Sequence, residues 1–85
     1  MARYFFHIKD GNDLIRDEEG TELPGLEEAR AKAILAAREI LAQAIKTAEP
    51  EFRLNAIVVH DEDGGQVIFV PFIEVLPQNF RRGGA

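Results

Sequence analysis

Residues 3–9 alternate with period two. Tyr4, Phe6 and Ile8 fall on one face of an extended chain, and Arg3, Phe5, His7 and Lys9 on the other. Aromatic and β-branched side chains reinforce this strand pattern. Asp10-Gly11-Asn12-Asp13 supplies turn formers, and Leu14-Ile15-Arg16 resumes an extended run, which predicts a hairpin. Asp17 to Glu22 reads as an acidic connector. Leu23-Pro24-Gly25 closes it, because Pro24 bars a central strand and holds Leu23 out of helical geometry. From Leu26 to about Ala48 the period changes to that of a helix. Leu26, Ala29, Ala33, Ala37, Ile40, Leu41, Ala44 and Ala48 share one stripe, with Ile34 and Ile45 beside it and Glu28, Lys32, Glu39 and Lys46 opposite. Leu35 is the apolar exception on the polar side. Gly25 is placed to cap this helix, and Glu27 and Glu28 suit its first turn.

Pro50 ends the helix, and residues 51–54 form a linker. Asn55 to His60 and Gln66 to Val70 read as two further strands around an Asp61-Glu62-Asp63-Gly64-Gly65 turn. Pro71 ends or bends the last strand, Phe72 to Leu76 either extends it or forms a short helical turn, and fraying is expected from Pro77. The predicted fold is α+β, of order β-β-α-β-β: an antiparallel four-stranded sheet with one long amphipathic helix on one face. Residues 1–77 form the single domain and residues 78–85 a flexible tail.

One helix covers one face of such a sheet, so the other face is expected to be polar. It is not. Phe5, Val58, Val67 and Phe69 fall on the face away from the helix. Their exposure predicts a covered surface, most simply by a second copy, so a homodimer through the open face or the edge strands is expected.

Composition narrows the chemistry. The 85 residues suit one small domain, and 46% hydrophobic with 29% charged residues is ordinary for a folded one. There is no Cys, which excludes disulfides and thiolate metal sites. The net charge is −5, and the pI near 4.9 argues against nucleic-acid binding by the monomer. No run approaches the roughly 20 apolar residues of a membrane helix. The short opening aromatic run is unlike a signal peptide, so a cytoplasmic protein is expected.

Candidate sites are few. His7 and His60 read as ordinary strand-end residues, with neither ligand spacing nor a pairing partner in sequence. Asp61-Glu62-Asp63-Gly64 faintly resembles a calcium loop, but Gly65 and Phe72 stand where ligands are needed. There is no Ser, nucleophile elbow or phosphate-binding Gly loop, so no catalytic, metal or cofactor residue is assigned and no enzyme is expected. Asp17, Glu18, Glu19 and Glu22 are the first candidates for an acidic surface that docks a basic protein partner.

Arg3-Tyr4-Phe5-Phe6-His7, Asp10-Gly11, Asp17 to Pro24, the Ala-rich helix, Asp61 to Gly64 and Val70-Pro71-Phe72 together resemble a family of small bacterial proteins classed only as a domain of unknown function. The likeness covers nearly the whole chain and implies no activity. Gly25 stands where relatives are expected to carry an Asp helix cap. Leu23-Pro24-Gly25-Leu26-Glu27-Glu28-Ala29 is also similar to the start of the helix in HicB-type antitoxins. That resemblance implies binding and blocking of a small basic RNA-cleaving toxin. The Gly-Asp-Ser/Thr block before the helix is missing here, and so is a DNA-binding segment. The expected function is a non-enzymatic interaction module acting as a homodimer, with the HicB-like role as the alternative.

Overall fold

A computed structural model describes residues 1–47 and 54–76. In chain order the elements are β1 (Ala2–Asp10), β2 (Asp13–Ile15), β3 (Thr21–Leu23), α1 (Leu26–Lys46), β4 (Leu54–His60) and β5 (Gln66–Pro71), followed by a 3-10 turn over Phe72–Val75. The fold is α+β. All strand pairings are antiparallel, in the order β2-β1-β4-β5, and β3 also pairs with β1.

The sheet departs from the expected four strands at β3. Part of the acidic connector is a strand: Ala2, Arg3 and Tyr4 pair with Leu23, Glu22 and Thr21. Ile8, Lys9 and Asp10 pair with Ile15, Leu14 and Asp13 on the same edge of β1. The two short strands are therefore one edge strand interrupted over residues 16–20. Three residues are too few to show an alternation, so only the partner reveals this strand. The helix stop at Pro50, linker residues 51–53 and the tail 78–85 lie outside the described residues, and Leu54, read as the end of the linker, opens β4.

The core lies between α1 and one sheet face. Tyr4 of β1, Ile57 and Val59 of β4, and Ile68 and Val70 of β5 meet Ala29, Ala33 and Ala37, which are fully buried. These alanines recur every four residues, so one ridge of the helix lies close to the sheet. Phe72 of the 3-10 turn seals the core, with Ile40, Leu41 and Val75 packed against it. The stripe ends short of its predicted start: Leu26 is 52% exposed. Leu35 is exposed, as its phase requires. Lys32, on the polar side of the stripe, reaches over the half-buried Phe6 ring with its ammonium 5.6 Å from the centroid, a cation–π contact that covers the core's margin.

The close approach depends on small side chains. Ala33→Leu is expected to lower stability by about 1–3 kcal/mol through overpacking. Leu35→Glu, on the exposed side, is expected to change it by no more than about 0.5 kcal/mol. Urea unfolding of both variants checks the contrast, and equal effects would contradict this packing.

Candidate functional site

The interruption of the edge strand builds the chemically richest part of the molecule. β1 has strand partners on this edge at its two ends, and between them Phe5, Phe6 and His7 face the 16–20 connector. An amide buried there without an acceptor would be costly. Asp17 supplies one. Its Oδ2 accepts from the Phe6 N–H at 3.0 Å, and its Oδ1 accepts from the N–H groups of Gly20 at 3.1 Å and Glu19 at 3.3 Å. In return the Asp17 N–H donates to Nδ1 of His7 at 3.0 Å. The connector is thus bonded to β1 in both directions.

Gly20 permits the fold-back. Its φ of +73° is a left-handed conformation, and a Cβ there would lie 2.8 Å from Cγ of Arg3 and 2.9 Å from the Phe5 ring. Arg3 ties the connector further: its guanidinium donates to the Glu19 carbonyl at 2.8 Å and lies 3.3 Å from the Glu22 carboxylate. That ion pair is exposed and adds little.

His7 is only 3% exposed. It is therefore a buried residue in the body of β1, not the strand-end histidine that its sequence suggested. Register brings His60 beside it, because Phe5 pairs with His60 and His7 with Val58. The two imidazoles meet edge to face with centroids 4.7 Å apart, and Phe5 stacks at 6.5 Å from His7. Beside the pair lies a cleft of about 360 Å³, lined by Phe5, both histidines, the 16–18 connector and the β4–β5 turn.

The hydrogen-bond direction restricts what His7 does. A nitrogen that accepts from a backbone N–H carries no proton, so neutral His7 holds its hydrogen on Nε2. In that form Nε2 is a donor and offers no lone pair to a metal or to a substrate proton. Burial holds the His7 pKa below the ordinary imidazole value, helped by the charges of His60 and Arg16 and opposed by Asp17. For Asp17, burial pushes the carboxyl upward, but the amides of Phe6, Gly20 and Glu19 outweigh it, with His7 adding to them, and its pKa stays below the ordinary carboxylate range.

Asp61 is similarly committed to structure. Its Oδ1 accepts from the N–H groups of Asp63 and Gly65, each at 3.0 Å, which organises the hairpin turn. Among the described residues no group of three or more His, Asp or Glu side chains is arranged to hold a metal ion.

The candidate apolar residues separate. On the open face Val58 is buried, Phe5 is half-buried and Phe69, opposite Val58, is 46% exposed. Val67 leaves this face. The β4–β5 register shifts between Val59 and His60, so Val67 is an extra residue in β5 and joins Ala2, Tyr4 and Leu26 around a separate shallow cavity. The candidate acidic surface also divides. Glu18, Glu19 and Glu22 are exposed, whereas Asp17 is half-buried and its carboxylate is bonded to backbone amides. Sequence reasoning missed the His7–Asp17–His60 cluster. The alternation did place His7 beside Phe5 on the face away from the helix, but nothing local foretold the register that brings up His60.

A family model described as domain of unknown function (DUF6894) matches residues 3–73. No curated protein and no solved structure matches. No helix among the described residues is long and apolar enough to cross a membrane.

Asp17→Ala removes three acceptor contacts and strands the Phe6 amide, with an expected loss of about 2 kcal/mol in urea unfolding. Stability is also expected to fall with acid. Both groups bind protons less readily in the folded state, so each contributes stability at high pH. The His7 contribution is complete above about pH 6.5 and the Asp17 contribution above about pH 3.9, and each is lost as pH drops through the lower folded-state value. The urea midpoint should therefore decrease between about pH 7 and about pH 5, and decrease less in His7→Asn. Equal decreases in the two proteins would contradict the assignment.

Proposed function

The chain belongs to the DUF6894 family, and from that premise we propose that it is a non-enzymatic interaction module that works as a homodimer, paired along β5. The contrast between the two sheet edges carries this reading. The β2–β3 edge is short, interrupted, charged and closed by the connector, which are devices that discourage further strand pairing. At the opposite edge, β5 runs Gln-Val-Ile-Phe-Val-Pro without a charged residue and has no strand partner beyond it among the described residues. Phe69 and Ile73 are exposed beside that edge. Such a strand is a template for another strand.

A second copy suits this edge better than a charged partner does. The chain carries −5, yet two uncharged β5 strands meet antiparallel without like charges facing each other. The pairing is isologous and closes after two copies, which leaves the guarded edges outermost. The absence of enzymatic activity is supported by His7 and Asp17, the most deeply engaged titratable groups, which are occupied by backbone contacts.

A second reading, a HicB-like domain that docks a small basic protein, is favoured by one observation. Glu18 of the connector and Glu62 of the β4–β5 turn line the same cleft. Asp17, Asp61 and Arg16 line it as well, and Glu19 and Glu22 are exposed on the same connector and strand edge.

Light scattering on the eluting protein at tens of micromolar is expected to give twice the 9.5 kDa chain mass. Phe69→Asp should return it to one chain with an unchanged circular dichroism spectrum. A wild-type monomer at that concentration would overturn the dimer. A complex with a small basic protein in material from the native host, dissociated by salt and absent in Glu18→Ala/Glu62→Ala, would select the second reading instead.

A further inference from the structure

We propose that Nδ1 of His7 and the backbone N–H of Asp17 form an acid-sensitive latch that holds the 16–20 connector against β1 and releases it when the imidazole is protonated. The inference is independent of the dimer. It rests on the direction of one hydrogen bond. The Asp17 N–H donates to Nδ1 at 3.0 Å, so that nitrogen must be unprotonated. A proton on Nδ1 sets two donors against each other at that distance, and the bond is lost. His7 is held between two rings, with Phe5 stacked at 6.5 Å and His60 edge-on at 4.7 Å, and the residue is 3% exposed.

The surroundings favour two states. In the closed state burial, His60 and Arg16 oppose the imidazolium, and Asp17 alone among the close charges favours it. Lys9 lies on the same face of β1 and β5 contributes no charge. Glu18, Asp61 and Glu62 line the adjoining cleft. Once the connector lifts, the imidazolium gains water and Arg16 moves away, while Asp61 and Glu62 stay on the β4–β5 turn, so the open state binds the proton more readily than the closed one. This difference in proton affinity is what couples pH to opening. In the closed state the amides of Phe6, Gly20 and Glu19 hold the Asp17 carboxyl below the ordinary carboxylate range, so the proton that opens the latch is taken by His7.

Release reaches beyond one bond. Asp17 also carries the acceptors for Phe6, Glu19 and Gly20, so movement of its backbone loosens all three contacts. The Phe6 N–H then faces solvent in the gap between β2 and β3. The guarded edge of the sheet becomes a short open one under mild acid.

The test is nuclear magnetic resonance of the full chain from about pH 7.5 to about pH 4.5, with amide exchange read at Phe6, Asp17 and Gly20. The open fraction is expected to grow by up to about tenfold per unit of acidification between the closed-state midpoint and the open-state value near pH 6.5. The Asp17 amide should titrate with the same midpoint as the His7 ring. His60→Asn removes one opposing charge, so both midpoints should move up together. In His7→Asn, Oδ1 offers an acceptor near the place of Nδ1 but takes no proton, and the three amides should lose their pH dependence over this range. The latch is overturned if the Asp17 amide stays fixed while the His7 ring titrates, or if the amides of a folded His7→Asn protein respond to pH as before. The wild-type and His60→Asn titrations decide the matter by themselves if His7→Asn does not fold.

Discussion

A strand edge must place its backbone donors somewhere, and the Phe6 N–H is the donor on which this architecture turns. β2 and β3 pair with the ends of β1 and leave a gap between them. The Asp17 carboxylate fills it, accepting from Phe6 on β1 and from Glu19 and Gly20 on its own connector. One side chain thereby replaces a missing ladder bond and gives the intervening residues a defined path. Gly20 is part of the same solution, because only a residue without Cβ turns there against Arg3 and Phe5.

The two sides of the sheet are built on different scales. Toward α1, alanines let the helix settle close, and the larger side chains come from the strands. Away from α1 no described element lies across the sheet. Cover there comes from side chains on neighbouring strands and from the connector, which is enough to bury His7 and Val58 but leaves Phe69 exposed. The same contrast distinguishes the edges: the one beside the connector is closed from within, and β5 presents an uncharged strand.

The chemistry of the cluster follows from hydrogen-bond direction more than from residue type. Two histidines and several carboxylates around a cleft suggest a metal or an acid–base site by inventory. The accepting Nδ1 of His7 argues otherwise, since it places the proton on Nε2 and engages the remaining lone pair. Asp17 engages both carboxylate oxygens with backbone amides, and Asp61 engages Oδ1. Titration and folding are joined here, and the connector is where that joining has a structural consequence.

The sequence by itself determined the α+β class, the long helix, the two hairpin turns and the phase of the buried alanines. These follow from local periodicity and from Gly and Pro placement, which act over a few residues. It also separated the two faces of β1, with His7 beside Phe5 and away from the core. Tertiary structure decided what distant segments do to one another. Thr21–Leu23 became a strand because the start of β1 lay open to it, Val67 left the open face because a bulge shifted the register, and Leu26 stayed exposed beyond the end of the core. Asp17 read as one acid in a solvated run, and only the fold-back shows it to be the acceptor for an amide eleven residues away. His7 and His60 are separated by most of the chain, and their contact depends on a cross-strand register that no local pattern encodes.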